Sequence, residues 1–133
     1  MERFLFDTAI WIDIYEDRKG FNNEPLGKPA LELLLKAERF VIANFTIREL
    51  ETKLSLEQIN GMFKLWEYKM DKILATEKQE KEAKEISFTR NVPSGDALHA
   101  IIARDHDLIL IARDKHFKLL KDISPHYKPE DLI

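Results

Sequence analysis

The sequence predicts an α/β layered fold with a mostly parallel central sheet. Three short apolar runs carry that prediction: Arg3-Phe4-Leu5-Phe6, Phe40-Val41-Ile42-Ala43 and Leu108 to Ala112. They are apolar without alternation, as expected of strands covered on both faces. Residues at helical spacing follow each run, and strands that alternate with helices form parallel sheets joined by crossovers. At 133 residues the chain has the length of a single domain, spanning 1–133, with enough sequence to bury a real core.

The first strand stops at Asp7-Thr8, either of which suits a helix cap. Ala9, Ile10, Trp11, Ile12, Ile14 and Tyr15 then continue at helical spacing. Glu16 to Pro29 is polar and rich in Gly, Pro and Asn, hence a loop. A short helix is expected over Ala30 to Ala37. After the strand at 40–43, Thr46 as cap would make T-I-R-E a capping box with Glu49. Helix is expected from Ile47 to about Ala75, broken near Gly61, or ending in a short strand at Ile73-Leu74-Ala75. Its apolar positions, among them Leu50, Leu54, Ile59, Phe63, Leu65 and Trp66, exceed one face against a small sheet, so some of this surface is expected to meet a partner. Glu77 to Glu85 reads as a solvated helix with i,i+4 pairs such as Glu77/Lys81, followed by a link over Ile86 to Pro93. Ser94 is expected to cap a largely buried helix that carries Asp96. Lys115 to Leu120 reads as a short helix after the 108–112 strand. Pro125 to Ile133 is expected to form an edge strand, because its prolines disfavour a central position.

A net charge of -3 and a pI near 5.8 argue against bulk electrostatic binding of nucleic acid. An acid cluster that takes up divalent cations weakens that argument, since it lowers the formal charge and then attracts phosphates. The absence of cysteine excludes disulfides, thiolate metal sites and a cysteine nucleophile, and fits a cytoplasmic protein. No apolar run approaches the roughly 20 residues of a membrane helix, and M-E-R-F-L-F-D does not read as a signal peptide. There is no glycine-rich phosphate loop and no zinc-type histidine spacing.

Four acids fall where strands meet helices. Asp7 directly follows the first strand, and Asp114 follows the 108–112 strand after one residue. Glu49 lies in the first turn of the helix after the second strand, and Asp96 in the first turn of the Ser94 helix. Ligands of parallel sheets bind beyond the carboxyl ends of the strands. Carboxylates gathered there suit Mg²⁺ or Mn²⁺, hard cations that prefer oxygen donors and act on phosphodiesters. Left without metal, such a group repels itself and should raise the pKa of one or more members. Each acid also has a plainer reading as a helix cap or a partner of the helix dipole. His116 and Arg113, beside Asp114, are candidates to contact substrate phosphate. His99, one turn beyond Asp96, reads as a buried hydrogen-bonded histidine.

F-L-F-D-T-A-I-W-I-D, F-T-I-R-E-L, S-G-D-A-L-H-A-I-I-A and L-I-L-I-A-R-D-K-H-F, in that order, resemble the PIN domain family, and within it the VapC-type toxin ribonucleases. The resemblance runs over essentially the whole chain. It implies a three-layer α/β/α sandwich and Mg²⁺- or Mn²⁺-dependent endonucleolytic cleavage of RNA. Asp7, Glu49, Asp96 and Asp114 match the family's four acidic positions, and Thr8 the hydroxyl residue that commonly follows the first acid. A homodimer and a small antitoxin protein are the partners implied, and the apolar surface of Trp11, Ile12, Tyr15 and residues 47–70 would suit them. Ala112 stands where many members carry Thr or Ser, and His116 where many carry a further Asp. These departures motivate a second reading, a catalytically inactive module that binds RNA or protein. A metal-dependent phosphatase on another α/β fold is a third, disfavoured because position 9 is Ala rather than a second acid.

Overall fold

The computed structural model describes residues 2–133. Five strands, β1 Phe4–Phe6, β2 Phe40–Ala43, β3 Met70–Ile73, β4 Ile109–Ile111 and β5 His126–Tyr127, make one parallel sheet in the order β3-β2-β1-β4-β5. Six α-helices accompany them: α1 Thr8–Glu16, α2 Gly27–Lys36, α3 Asn44–Leu50, α4 Leu56–Lys64, α5 Glu77–Arg90 and α6 Ser94–Asp105.

Successive strand side chains point to opposite faces, and that alternation builds two cores. Phe4, Phe6, Phe40, Ile42 and Ile111 pack with Trp11 of α1, Leu34 of α2, and Ile59 and Phe63 of α4. Leu5, Val41 and Leu110 pack on the other face with Ala83 of α5 and with Ala97 and Ile101 of α6. The molecule is therefore the α/β/α sandwich expected from the sequence. Continuous apolar runs were required because both faces of each central strand are covered.

The chain lays down β1, β2 and β3 in one direction, then crosses through α5 and α6 to place β4 on the other side of β1. The strand order thus reverses between β1 and β4, the point where open parallel sheets form a crevice at their carboxyl ends. Asp7 and Asp114 follow these two strands.

Several local expectations are corrected. Thr46 does not cap α3: the helix starts at Asn44, immediately after β2, and Thr46 is fully buried within it. Asn44 instead accepts the Ala75 amide through Oδ1 at 3.1 Å, tying α3 to the chain beyond β3. The 47–75 region is not helix throughout. It breaks at 51–55, not at Gly61, and Ser55 and Gln58 form a capping box that starts α4. The third strand lies at Met70–Ile73, three residues earlier than the 73–75 alternative. α5 runs through Ile86 to Arg90, because a Thr76/Gln79 capping box starts it and Asn91 ends it in the left-handed region at φ 54°. Ser94 does not cap α6; Pro93 holds that position without a side-chain bond. α2 begins at Gly27 and tolerates Pro29 in its first turn, where the missing N–H costs little.

The apolar surplus is mostly core. Trp11 and Ile12 are buried, as are Leu50, Leu54, Ile59, Phe63 and Trp66. Tyr15, Leu56, Leu65 and Tyr68 remain exposed. Two close contacts fix how the first layer packs. At Gly27 an added Cβ would lie 2.2 Å from the Asp13 carbonyl oxygen, so α2 approaches α1 through bare backbone. At the other end of α2, the buried Lys69 Nζ donates to the Leu34 carbonyl at 2.5 Å and the Ala37 carbonyl at 2.9 Å, and stands 5.4 Å from the Trp66 ring. It serves as a cationic cap on the negative end of the helix dipole.

Candidate metal centre

One open cleft of about 360 Å³ at the carboxyl edge of the sheet is lined by Asp7, Thr8, Glu49, Asp96 and Asp114, together with Lys53. Each acid arrives on a different element. Asp7 is the residue between β1 and α1. Glu49 sits in the last turn of α3, not the first, because α3 starts at Asn44. Asp96 is in the first turn of α6, and Asp114 is the N-cap of the 3-10 turn Lys115–Leu120, where it accepts the His116 amide at 2.8 Å.

Asp96, Asp114 and His116 place potential donor atoms within 4.8 Å of one another. His116 Nδ1 lies 2.6 Å from Asp114 Oδ1 and 3.6 Å from Asp96 Oδ2, so its ring faces the acids. The short contact to Asp114 lacks hydrogen-bond alignment, which leaves Nδ1 a buried polar atom without a partner. Asp96 Oδ2 is likewise buried with no donor. Thr8 Oγ1 donates to Glu49 Oε1 at 2.5 Å and holds that carboxylate in the cleft.

Asp7 is buried and backed by His99, whose Nδ1 is 3.4 Å from Asp7 Oδ1 and 3.0 Å from the Gly95 carbonyl oxygen. Because that carbonyl only accepts, Nδ1 carries the proton, and Nε2 accepts from Thr46 Oγ1 at 2.9 Å. Burial keeps this imidazole neutral, pushing it down to about 4. Burial, and then the neighbouring Glu49 carboxylate, push Asp7 up to about 7. Asp96 rises to about 7 for the same reasons, burial first and then Asp7 and Asp114. The self-repulsion expected of grouped carboxylates is present.

Arg113 is not brought to the cleft. Its guanidinium donates to Glu130 at 2.6 Å and to the Leu26 carbonyl at 2.9 Å, and lies 3.6 Å from Asp13. The side chain clamps the terminal segment and the loop after α1 to the sheet edge. The sequence assigns no role to Lys53 in the cleft or to Gly95 behind Glu49. Lys53 reaches the cleft only because the chain turns at 51–55. Gly95 is there because an added Cβ would stand 2.3 Å from Glu49 Oε2. A glycine in a helical first turn, directly before an acid, was a usable hint that something approaches closely.

The two raised carboxylates set a pH dependence for the metal-free protein. Between the unfolded value of 3.8 and about 7 the folded state holds protons that the unfolded state has released. That contribution is complete below 3.8 and is lost as pH rises through about 7. His99 opposes it between about 4 and 6.5, where the unfolded imidazole is protonated and the folded one is not. Two acids against one histidine leave a net loss with rising pH. The melting temperature of chelator-treated protein is expected to fall by roughly 5 °C between about pH 5.5 and pH 8. A flat or rising profile by calorimetry would show that these carboxyls titrate normally.

The PIN domain family model matches residues 4–123. The chain belongs to the PIN domain family. Solved PIN-fold structures superpose on it over nearly their full length. A toxin–antitoxin complex from Klebsiella pneumoniae is 20% identical, covering 94% of this chain and 96% of its own, with a TM-score of 0.68. The PAE2754 protein from Pyrobaculum aerophilum is 15% identical, covering 98% and 86%, with a TM-score of 0.64. VapBC2 from Rickettsia felis, solved with a DNA fragment from its promoter, is 17% identical, covering 95% and 96%, with a TM-score of 0.60. No curated protein matches by sequence. At these identities the fold alone is shared. No helix among the described residues of this PIN domain is long and apolar enough to cross a membrane.

Proposed function

We propose that this PIN domain is a Mg²⁺- or Mn²⁺-dependent endoribonuclease of the VapC type, the cytoplasmic toxin of a toxin–antitoxin pair. One observation carries the reading: four carboxylates on four separate elements line a single cleft, and two of them are held near neutral pKa by burial and mutual repulsion. Such a group is incomplete without a cation. The donor set fits one, since it is all carboxylate oxygen apart from one imidazole, and Asp96 Oδ2 is buried with nothing to bond. Asp96 and Asp114 would hold the ion with His116 beside them, and Asp7 and Glu49 complete the wall.

A divalent ion held by Asp96 and Asp114 would supply Lewis acidity toward a phosphoryl oxygen and a more acidic bound water. The protein's own groups do the rest. Thr8 keeps Glu49 directed into the cleft, and His99 Nδ1–H faces Asp7 and fixes its orientation. Lys53 brings a positive charge to the mouth, where a strand's phosphates would pass. Exposed Leu56, Leu65 and Tyr68 are available to a homodimer partner or an antitoxin, a role that buried Trp11 and Ile12 do not fill.

Purified protein is expected to cleave single-stranded RNA with Mn²⁺ or Mg²⁺ and to lose cleavage with chelator. No cleavage of any RNA, together with no metal-dependent thermal shift, would favour the inactive binding module instead. Gly95→Ala tests the position of Glu49, against which the new methyl would press. Alanine favours the helix, so melting should change by no more than about 3 °C, whereas the displaced carboxylate should lower cleavage by roughly 10- to 100-fold. Unchanged cleavage would show that Glu49 need not occupy its observed position.

A further inference from the structure

Beside the acidic cleft, and sharing Glu49 and Thr52 with it, lies a second cavity of about 340 Å³ between α3, α5 and α6. Its floor is apolar and buried: Phe45, Ala83 and Leu98. Its rim carries Arg48 and Lys84, both exposed. Neither is held by a carboxylate at hydrogen-bond distance, although Glu49 and Glu80 also line the cavity. Arg39, Arg90, Arg104 and Arg113 are all held by carboxylates at 2.6–2.8 Å. Arg48 has only a 4.0 Å approach to Glu80, and Lys84, like the other lysines among the described residues, has no ion pair.

Floor and rim together match one ligand chemistry. An aromatic, planar and largely apolar group would cover Phe45 and Leu98, and an anion attached to it would meet Arg48 and Lys84. A nucleotide unit has both parts. We propose that this cavity receives an unpaired nucleobase of single-stranded RNA, next to the phosphodiester that lies in the acidic cleft, with Arg48 and Lys84 on the adjoining phosphate. The proposal rests on the nuclease reading of the cleft and adds a base-binding subsite to it. A paired base cannot enter, because its face is stacked and its edge occupied, so the cavity selects strands that are locally single. It also supplies what the cleft lacks. A protein of net charge -3 with carboxylates at its centre needs cationic groups just outside them to hold a polyanion. Glu80, on the wall, accepts hydrogen bonds from a base that presents N–H groups.

The test uses Asp7→Asn protein in Mg²⁺, which leaves the strand uncut. A short fluorescent oligoribonucleotide is compared with an abasic ribose-phosphate strand of equal length and charge. The abasic strand is expected to bind roughly tenfold more weakly. Arg48→Glu and Lys84→Glu should each weaken the intact strand by about as much again, with Mn²⁺ stabilisation of the protein unchanged. A 4-thiouridine strand, irradiated while bound, should crosslink to peptides containing residues 45–52, 80–84 or 94–98. Equal affinity for the two strands overturns the proposal, and so do crosslinks confined to other elements, which would leave the cavity to another occupant such as a protein segment. Both results are compatible with a working nuclease. Conversely, base-dependent binding at this cavity in a wild-type protein that cleaves nothing would sink the nuclease reading alone.

Discussion

Asp7→Asn is expected to lower RNA cleavage by about a thousandfold or more while making the metal-free protein more stable at pH 8. The two effects have one cause. Asp7 is buried behind Thr8 and Glu49, and its carboxyl is raised to about 7 by burial and by the Glu49 charge. Its ionised form at pH 8 therefore costs folding energy, on the order of 1–2 kcal/mol after discounting for relaxation and water entry. Asparagine has nearly the same shape, offers its oxygen to His99 Nδ1–H, and carries no charge to repel Glu49 or Asp96. The same removal deprives the cleft of one of its anionic donors and of part of its attraction for a divalent cation. Melting should rise by roughly 3–6 °C at pH 8 and change little near pH 5.5, where the wild-type carboxyl is already largely protonated. Mn²⁺ should stabilise the variant less than wild type. A variant that cleaves like wild type would remove Asp7 from the machinery. One that melts lower at pH 8 would show that its charge is compensated in a way the cleft does not reveal.

Trp11→Ala is expected to cost about 3–5 kcal/mol, the largest single loss in the first layer. Trp11 is fully buried between α1 and the sheet. Its ring lies 5.3 Å from Phe6, 5.5 Å from Phe40 and 4.8 Å, edge-on, from Phe63. Truncation would open a void among three aromatic rings held on three different elements, which cannot collapse together. Thermal melting should fall by roughly 10–20 °C. Trp11→Phe should recover much of that, since its indole Nε1 has no hydrogen-bond partner to lose. If Trp11→Ala instead left melting unchanged but altered the oligomeric state, the residue would belong to an interface after all.

The central strands were readable because both faces of β1, β2 and β4 are covered and no polar alternation interrupts them. Phe40–Ala43 needed no correction at either end. α5 was cut short because its surface is almost all charged, with only Gln79 and Ala83 buried, so no apolar stripe marks its second half. Its true signals were local caps, Thr76/Gln79 and Asn91. The 47–70 surface is more buried than its spacing predicts, for the opposite reason. Apolar spacing does not say which faces are covered, and the region resolves into the end of α3, a turn, α4 and the edge strand β3.

The site divides in the same way. Asp7, Glu49 and Asp114 stand out in the chain because each is next to a strand end or in a short helix that follows one, and Asp96 because it lies in the first turn of α6, the helix that leads back to β4; the parallel sheet then places them at one edge. Their number and order, the absence of thiols and the apolar strands are properties of the sequence, readable because they depend only on neighbours in the chain. Contacts across tens of residues are not. Thr8 finds Glu49 forty-one positions away, His99 finds Thr46 fifty-three positions away, and Arg113 is drawn from the cleft to Glu130 and Leu26 by partners no local pattern announces. The same is true of the bare Gly95 surface against which Glu49 rests, and of the cavity beside it, whose walls come from three helices. Only the tertiary structure decides these, because burial and long-range pairing determine which groups are desolvated together, and that sets both the raised carboxylates and the room left for a ligand.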